Sequence, residues 1–250
     1  MAISKKRLGL GLAMAAVFCV TLVLTFSPIF PKAPDGKAQN GLEWADETFN
    51  GLSKGSSYFI PKVTKAVEQY MGKTISVAVK MDKDGDKPGD ADKRAVNASK
   101  VFIASGANVT VTGPELKVEG DLGKILMAAL QDSDAMYKND GNYIKTKYGT
   151  DDEKKMFRQW YNAFGKFDKV LKKQGKIKEA NIISEVNKKA IETGYNYYTV
   201  PAINVSDKVG LMTFLLVFYI VYTMWWGFSI FFFFEGIGLS MKKAKVKKEV

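Results

Sequence analysis

The residues that could do chemistry are few. Asp82, Asp84, Asp86, Asp90 and Asp92 alternate with glycine and lysine in the stretch DKDGDKPGDADK. Carboxylates at such spacing, in a loop bent by glycine, can wrap hard oxygen ligands around Ca²⁺. The EF-hand form of that loop needs glycine at its sixth place and a bidentate glutamate at its twelfth. Counted from Asp82, those places hold Lys87 and Lys93. Interleaved lysines also repel a cation, so an ordinary solvated loop competes with the Ca²⁺ reading. No other cofactor is expected.

Glu235 is the second chemical outlier, an ionisable side chain ending a long apolar run. Ionisable groups at membrane depth mark functional sites by default. At the end of a span, a carboxylate can instead reach water and pair with Lys242 or Lys243. Absences narrow the chemistry further. The chain has no histidine, which removes Ser-His-Asp and Cys-His nucleophilic sites and His-ligated zinc or haem. Its one cysteine, Cys19, lies in an apolar stretch and reads as a small buried residue; one cysteine cannot form an intrachain disulfide. The chain therefore reads as a non-enzyme.

The elements that would carry these residues are dominated by two apolar runs. Val209 to Phe234 contains no charged side chain and as a helix would reach about 39 Å, beyond the ~30 Å hydrocarbon core of a bilayer. Leu8 to Phe30 is equally free of charge. It reads as an uncleaved signal anchor, because no small-x-small cleavage pattern follows it. Pro28, Pro31 and Pro34 then suggest an extended linker. The net charge of +11 is heavy at both ends, with Lys5, Lys6 and Arg7 before the first run and Lys242, Lys243, Lys245, Lys247 and Lys248 after the second. Basic flanks of this kind set orientation and attract anionic lipid. Without interleaved aromatics they do not read as a nucleic-acid surface.

Between the runs, periodicity predicts short helices over Leu42–Leu52 and Pro61–Met71, then a half-buried strand over Lys73–Met81. A helix follows from Asp90 to Ser105, then a hairpin of Asn108–Thr112 and Glu115–Glu119. Asp121 can cap the next helix, and Asn139-Asp140-Gly141-Asn142 reads as a turn. Asp151–Gln174, with Thr150 as its cap, and Lys176–Gly194 are amphipathic and joined closely enough for a helical hairpin. Tyr195, Tyr197 and Tyr198 read as interfacial anchors ahead of the second run.

The expected fold is an α+β membrane protein in which two transmembrane helices bracket a helix-dominated extracytoplasmic domain with a small antiparallel or mixed sheet. Its parts are a basic head (1–7), a first span (8–30), a linker (31–41), the external domain (42–199), a second linker (200–208), a second span (209–235) and a basic cytoplasmic tail (236–250). Basic flanks place both termini in the cytoplasm and the domain outside. The single cysteine suits a bacterial inner membrane with a periplasmic domain better than an oxidising secretory lumen. The function expected is a non-catalytic accessory or scaffolding subunit of an inner-membrane assembly, contacting other membrane subunits or a second copy of itself. Trp225, Trp226, Gly227, Phe228 and Glu235 are the expected partner-binding residues, because rings and glycine at membrane depth favour helix association. The alternative is a membrane-tethered ligand-binding or sensory domain.

Overall fold

A computed structural model describes residues 3–33 and 36–239 of the chain. The chain is mostly helical, with one small sheet, and divides into two compact units. The first comprises Met1–Gly55 with Ala202–Val250, as far as these are described, and the second Ser56–Pro201.

In the first unit, helix α1 runs from Lys5 to Phe26. It starts before the apolar run because the basic head winds into its first turn. It stops short of Phe30 because Ser27, at φ −81° and ψ 145°, precedes Pro28, whose ring disfavours helical backbone in the residue before it. The proline-rich segment that follows is not extended. The Phe30 amide donates to the Gln39 carbonyl at 3.3 Å and the Ala33 amide to the Lys37 carbonyl at 3.0 Å, so the chain doubles back.

Helix α2, Gly41–Ser56, then begins with Asn40 as its cap. The Asn40 carboxamide oxygen accepts from the Leu42 and Glu43 amides, and the Glu43 carboxylate accepts from the Asn40 amide, a reciprocal capping arrangement. The sequence suggests that this helix opens the external domain, yet it belongs with the apolar runs. The reason is close packing at both ends: Gly41 abuts Phe30 and Thr25, while Gly51 accepts the Ile203 amide at 3.0 Å. Ile203 leads into the last helix, which spans Val205–Gly236 and is numbered α10 because the seven helices α3 to α9 of the second unit intervene. At about 1.5 Å per residue it is about 48 Å long. α1 and α10 are the two described helices long and apolar enough to cross a membrane, and only 6% of the most apolar window of each is buried.

The second unit opens with α3 (Ile60–Glu68), which carries Pro61 in its first turn, and strand β1 (Thr74–Lys80). Helix α4 (Asp90–Ala104), strands β2 (Asn108–Thr112) and β3 (Glu115–Asp121) and helix α5 (Leu122–Tyr137) follow. The sheet is antiparallel in the order β1-β3-β2, with Val77 opposite Val118 and Val109 opposite the same residue on the other side. Ile75, Val77, Val79, Leu116 and Val118 face the core, the alternation that a sheet covered on one side requires.

Asp121 caps α5 through the Lys124 amide, as its position predicts. The predicted turn at Asn139–Asn142 instead starts helix α6 (Gly141–Tyr148), because Asp140 caps it through the Tyr143 amide. Helix α7 (Glu153–Lys173) is capped by Asp152, not Thr150. Its stripe packs Trp160, Phe164 and Phe167 around Phe102 of α4, with centroid separations of 5.0, 6.2 and 5.1 Å. Each such ring contributes on the order of 1.5–3 kcal/mol by burial. The last predicted helix is broken: α8 (Ile177–Val186) passes through a π turn at Asn187–Ile191 into α9 (Glu192–Asn196).

Candidate functional site: the paired apolar helices

Helices α1 and α10 lie antiparallel, and their seam is built from the smallest residues. A β-carbon on Gly11 would sit 2.6 Å from the Phe233 amide nitrogen, and one on Gly236 2.5 Å from the Leu8 amide nitrogen. Neither position has room for a side chain, so the two backbones meet directly. Polar groups bond directly across the seam. The Ser229 hydroxyl donates to the Gly11 carbonyl at 2.9 Å, and the Trp225 indole to the Met14 carbonyl at 3.0 Å. Farther along, the Phe18 ring stacks on both Tyr222 and Trp226, each 4.4 Å away. At the opposite end the Ser4 amide donates to the Gly236 carbonyl, and Arg7 forms an ion pair with Glu235.

This seam redistributes the predicted partner-binding residues. Trp225, Trp226 and Glu235 already have partners on α1, although both indoles remain 39% exposed. Gly227 and Phe228 face away: nothing lies within 4 Å of a β-carbon built on Gly227, and Phe228 is 49% exposed. Glu235 pairs with Arg7; the predicted partners Lys242 and Lys243 fall outside the described residues. Cys19 stands exposed on α1, not buried as its apolar neighbours suggest. A further apolar groove of about 530 Å³ runs between α2 and α10, lined by Ala45, Phe49, Met212, Thr213, Leu215, Leu216 and Tyr219.

The aspartate loop of the second unit is held by its own amides and by neighbouring cations. It folds as two successive turns of the same design, Lys83–Asp86 and Lys87–Asp90. Each has glycine at its third position with φ near +80°, where a side chain would be strained. In each the aspartate carboxylate accepts the amide of the leading lysine, at 2.7 and 3.1 Å. Asp86 also pairs with Arg94, and Asp82 with Lys166 at 3.1 Å; these cations hold both carboxyls below the usual carboxylate range. Among the described residues no group of three or more acidic, cysteine or histidine side chains is placed to hold a metal ion.

Sequence reasoning missed the one deeply buried carboxylate among the described residues. Asp132 of α5 is fully inaccessible and accepts from the Lys147 ammonium at 2.6 Å, the Tyr148 hydroxyl and the Trp160 indole at 2.7 Å. Burial, then the neighbouring carboxylate, drives the Tyr148 phenol far above its ordinary value. With both oxygens satisfied, Asp132 ties α5, α6 and α7 together and is not free for acid–base work. The three tyrosines before the second apolar run also serve this unit. Tyr197 packs edge-on against Tyr137, and the Tyr198 hydroxyl donates to Glu153 at 2.7 Å. They fold back onto α5 and α7. Beyond the charge pattern of the loop, only the polar Asp132 within an apolar helical stripe could have announced these arrangements. No protein-family model, curated protein or solved structure matches the chain.

Proposed function

We propose that this chain is a two-pass protein of a bacterial inner membrane, with both termini cytoplasmic and residues 56–201 periplasmic. Within that membrane it serves as a non-catalytic accessory or scaffolding subunit, joined to other membrane subunits or to a second copy. One observation carries the reading: α1 and α10 are zipped to each other along one seam and, apart from their polar first turns and the Arg7–Glu235 end, present mostly apolar side chains to their surroundings. Phe214 and Leu216 are each 62% exposed and Tyr219 64%. In water such a surface would far exceed the apolar patches of soluble monomers. In hydrocarbon it is at no disadvantage, and the few polar groups of the seam are satisfied internally, as the bilayer demands.

Gly227, Phe228 and the groove between α2 and α10 are the surfaces left for a neighbouring helix. Anionic lipid is the expected companion of Lys5 and Lys6, and nucleic acid is no part of this reading. The non-catalytic assignment rests on the missing histidine and on the engagement of Asp132 by three donors.

The test has two parts. After alkaline carbonate washing the chain should remain in the membrane pellet, and protease added outside should cut within 56–201 alone. Photocrosslinkers at Gly227 and Phe228 in native membranes should then capture protein. Release by carbonate would refute the span assignment, and crosslinks to lipid alone would refute the subunit assignment.

A further inference from the structure

The break in the last helix of the second unit has a chemical consequence. A π turn closes hydrogen bonds one residue farther on than an α turn, so it re-phases every side chain beyond it, and such turns recur at functional sites. Asn187, which opens the turn, has a buried Oδ1 without a hydrogen-bond partner among the described residues. Beyond the turn, Glu192, Tyr195 and Asn196 of α9 line a hollow of about 190 Å³ together with Arg158 and Tyr161 of α7.

Two opposite charges border this hollow without joining. The side chains of Arg158 and Glu192 make no ion pair or hydrogen bond, with each other or with any other described residue. The Arg158 guanidinium instead sits 5.6 Å from the Tyr195 ring centroid, and the Lys154 ammonium 4.8 Å from the same ring. Cation–π attraction thus holds positive charge at one side of the hollow. Burial and then the proximity of Arg158 lower the pKa of Lys83, a sign that positive charge is crowded there. A simple anion would meet repulsion from Glu192, and a simple cation repulsion from Arg158 and Lys154. A molecule bearing both signs meets neither.

We propose that this hollow binds a small zwitterion of the α-amino-acid class. Its carboxylate lies against the Arg158 guanidinium, whose planar fork suits that group, and its ammonium against Glu192. The phenol rings of Tyr161 and Tyr195 provide the walls, and the Asn196 amide offers a donor and an acceptor. The volume falls below the ~300–1,000 Å³ of drug-sized pockets, so a small ligand is required. This assignment is independent of the membrane reading.

The full chain in mild detergent should be titrated with L-alanine, L-phenylalanine and L-glutamate by calorimetry and ligand-observed NMR. At least one should bind saturably, and Arg158→Gln and Glu192→Gln should each weaken it tenfold or more with unchanged circular dichroism. Sodium acetate and methylammonium chloride at the same concentration should not compete. Failure of all three amino acids to bind overturns the proposal. So does binding that survives either substitution, since an unaffected Glu192→Gln with acetate competing would reveal an anion site only. Should either variant misfold, Asn196→Ala and the two competition experiments decide in its place: full affinity together with competition by acetate overturns the proposal.

Discussion

The Arg7 guanidinium donates to the Glu235 carboxylate, tying the first turn of α1 to the last turn of α10. The Glu235 side chain is only 9% exposed, whereas that of Arg7 is 54% exposed. Reversing either charge should therefore cost about 1.5–3 kcal/mol, the range for a hydrogen bond to a charged group. The double exchange Arg7→Glu with Glu235→Arg should recover most of the loss. Thermal unfolding of the four proteins in detergent checks this, and a double exchange no better than the singles would contradict it.

The seam also separates glycines of one helix from each other. Gly11→Leu must push α10 away and should destabilise the pair by about 1–3 kcal/mol, as overpacking does. Gly9, two residues earlier, has nothing within 4 Å of its built β-carbon. Gly9→Leu should leave the melting temperature unchanged within error, and an equal loss at both positions would refute the seam.

Asp132→Ala should be the most damaging single change in the second unit. It strands the Lys147 ammonium and removes the acceptor of both Tyr148 and Trp160. Breaking a buried ion pair by removing one partner costs about 3–5 kcal/mol, a large share of the ~5–15 kcal/mol that stabilises a typical domain. Replacing Lys147 by Met along with Asp132→Leu should be milder than Asp132→Ala alone. Chemical denaturation followed by Trp160 fluorescence measures the difference.

Alkaline pH should also loosen this unit. Burial, with Tyr197 and Tyr58 adding to it, pushes Tyr137 up to about 12; burial, then Glu153, does the same for Tyr198. A phenol ordinarily ionises near 10. A folded-state pKa raised above the unfolded one gives stability that is full below about pH 10 and is lost as pH climbs toward about 12. Absorbance at 295 nm should show these tyrosines ionising only as the chain unfolds, whereas in denaturant all should titrate together near 10. Glu153 behaves oppositely. Its hydrogen bond from Tyr198 and its neighbour Lys145 lower its pKa, so its contribution is present above the ordinary carboxylate range and fades as pH falls through the lower folded value.

Local signals in the sequence translated into structure where they involved neighbouring residues. Asp121 caps its helix, and Ile75, Val77 and Val79 line one face of β1. Misreadings arose where one pattern serves two structures. Asn-Asp-Gly-Asn is a turn or a capped helix start, depending on whether Asp140 reaches the Tyr143 amide. The spacing of Ile183, Val186, Ala190 and Ile191 fits an unbroken helix as well as one with a π turn. Pairings such as Arg7 with Glu235, or Asp132 with Trp160, leave no local trace, because they depend on which helices become neighbours. For the same reason the outward-facing Gly227 and Phe228 could not be told from the inward-facing Trp226.

The seam joins residues 228 positions apart in the chain, and that separation imposes an order of events in time. At about 5–20 residues per second of synthesis, roughly 10–45 s pass between the emergence of Arg7 and that of Glu235. Throughout that interval α1 has no α10 to donate the Ser229 and Trp225 hydrogen bonds to its Gly11 and Met14 carbonyls or to cover Gly11. The unit spanning 56–201 meanwhile has its own core and can finish folding first. Closing the pair is then the last step of maturation. A ribosome stalled or a chain truncated before Ser229 would leave a lone helix with an unmet seam, open to capture by any neighbour offering a serine or tryptophan at matching depth.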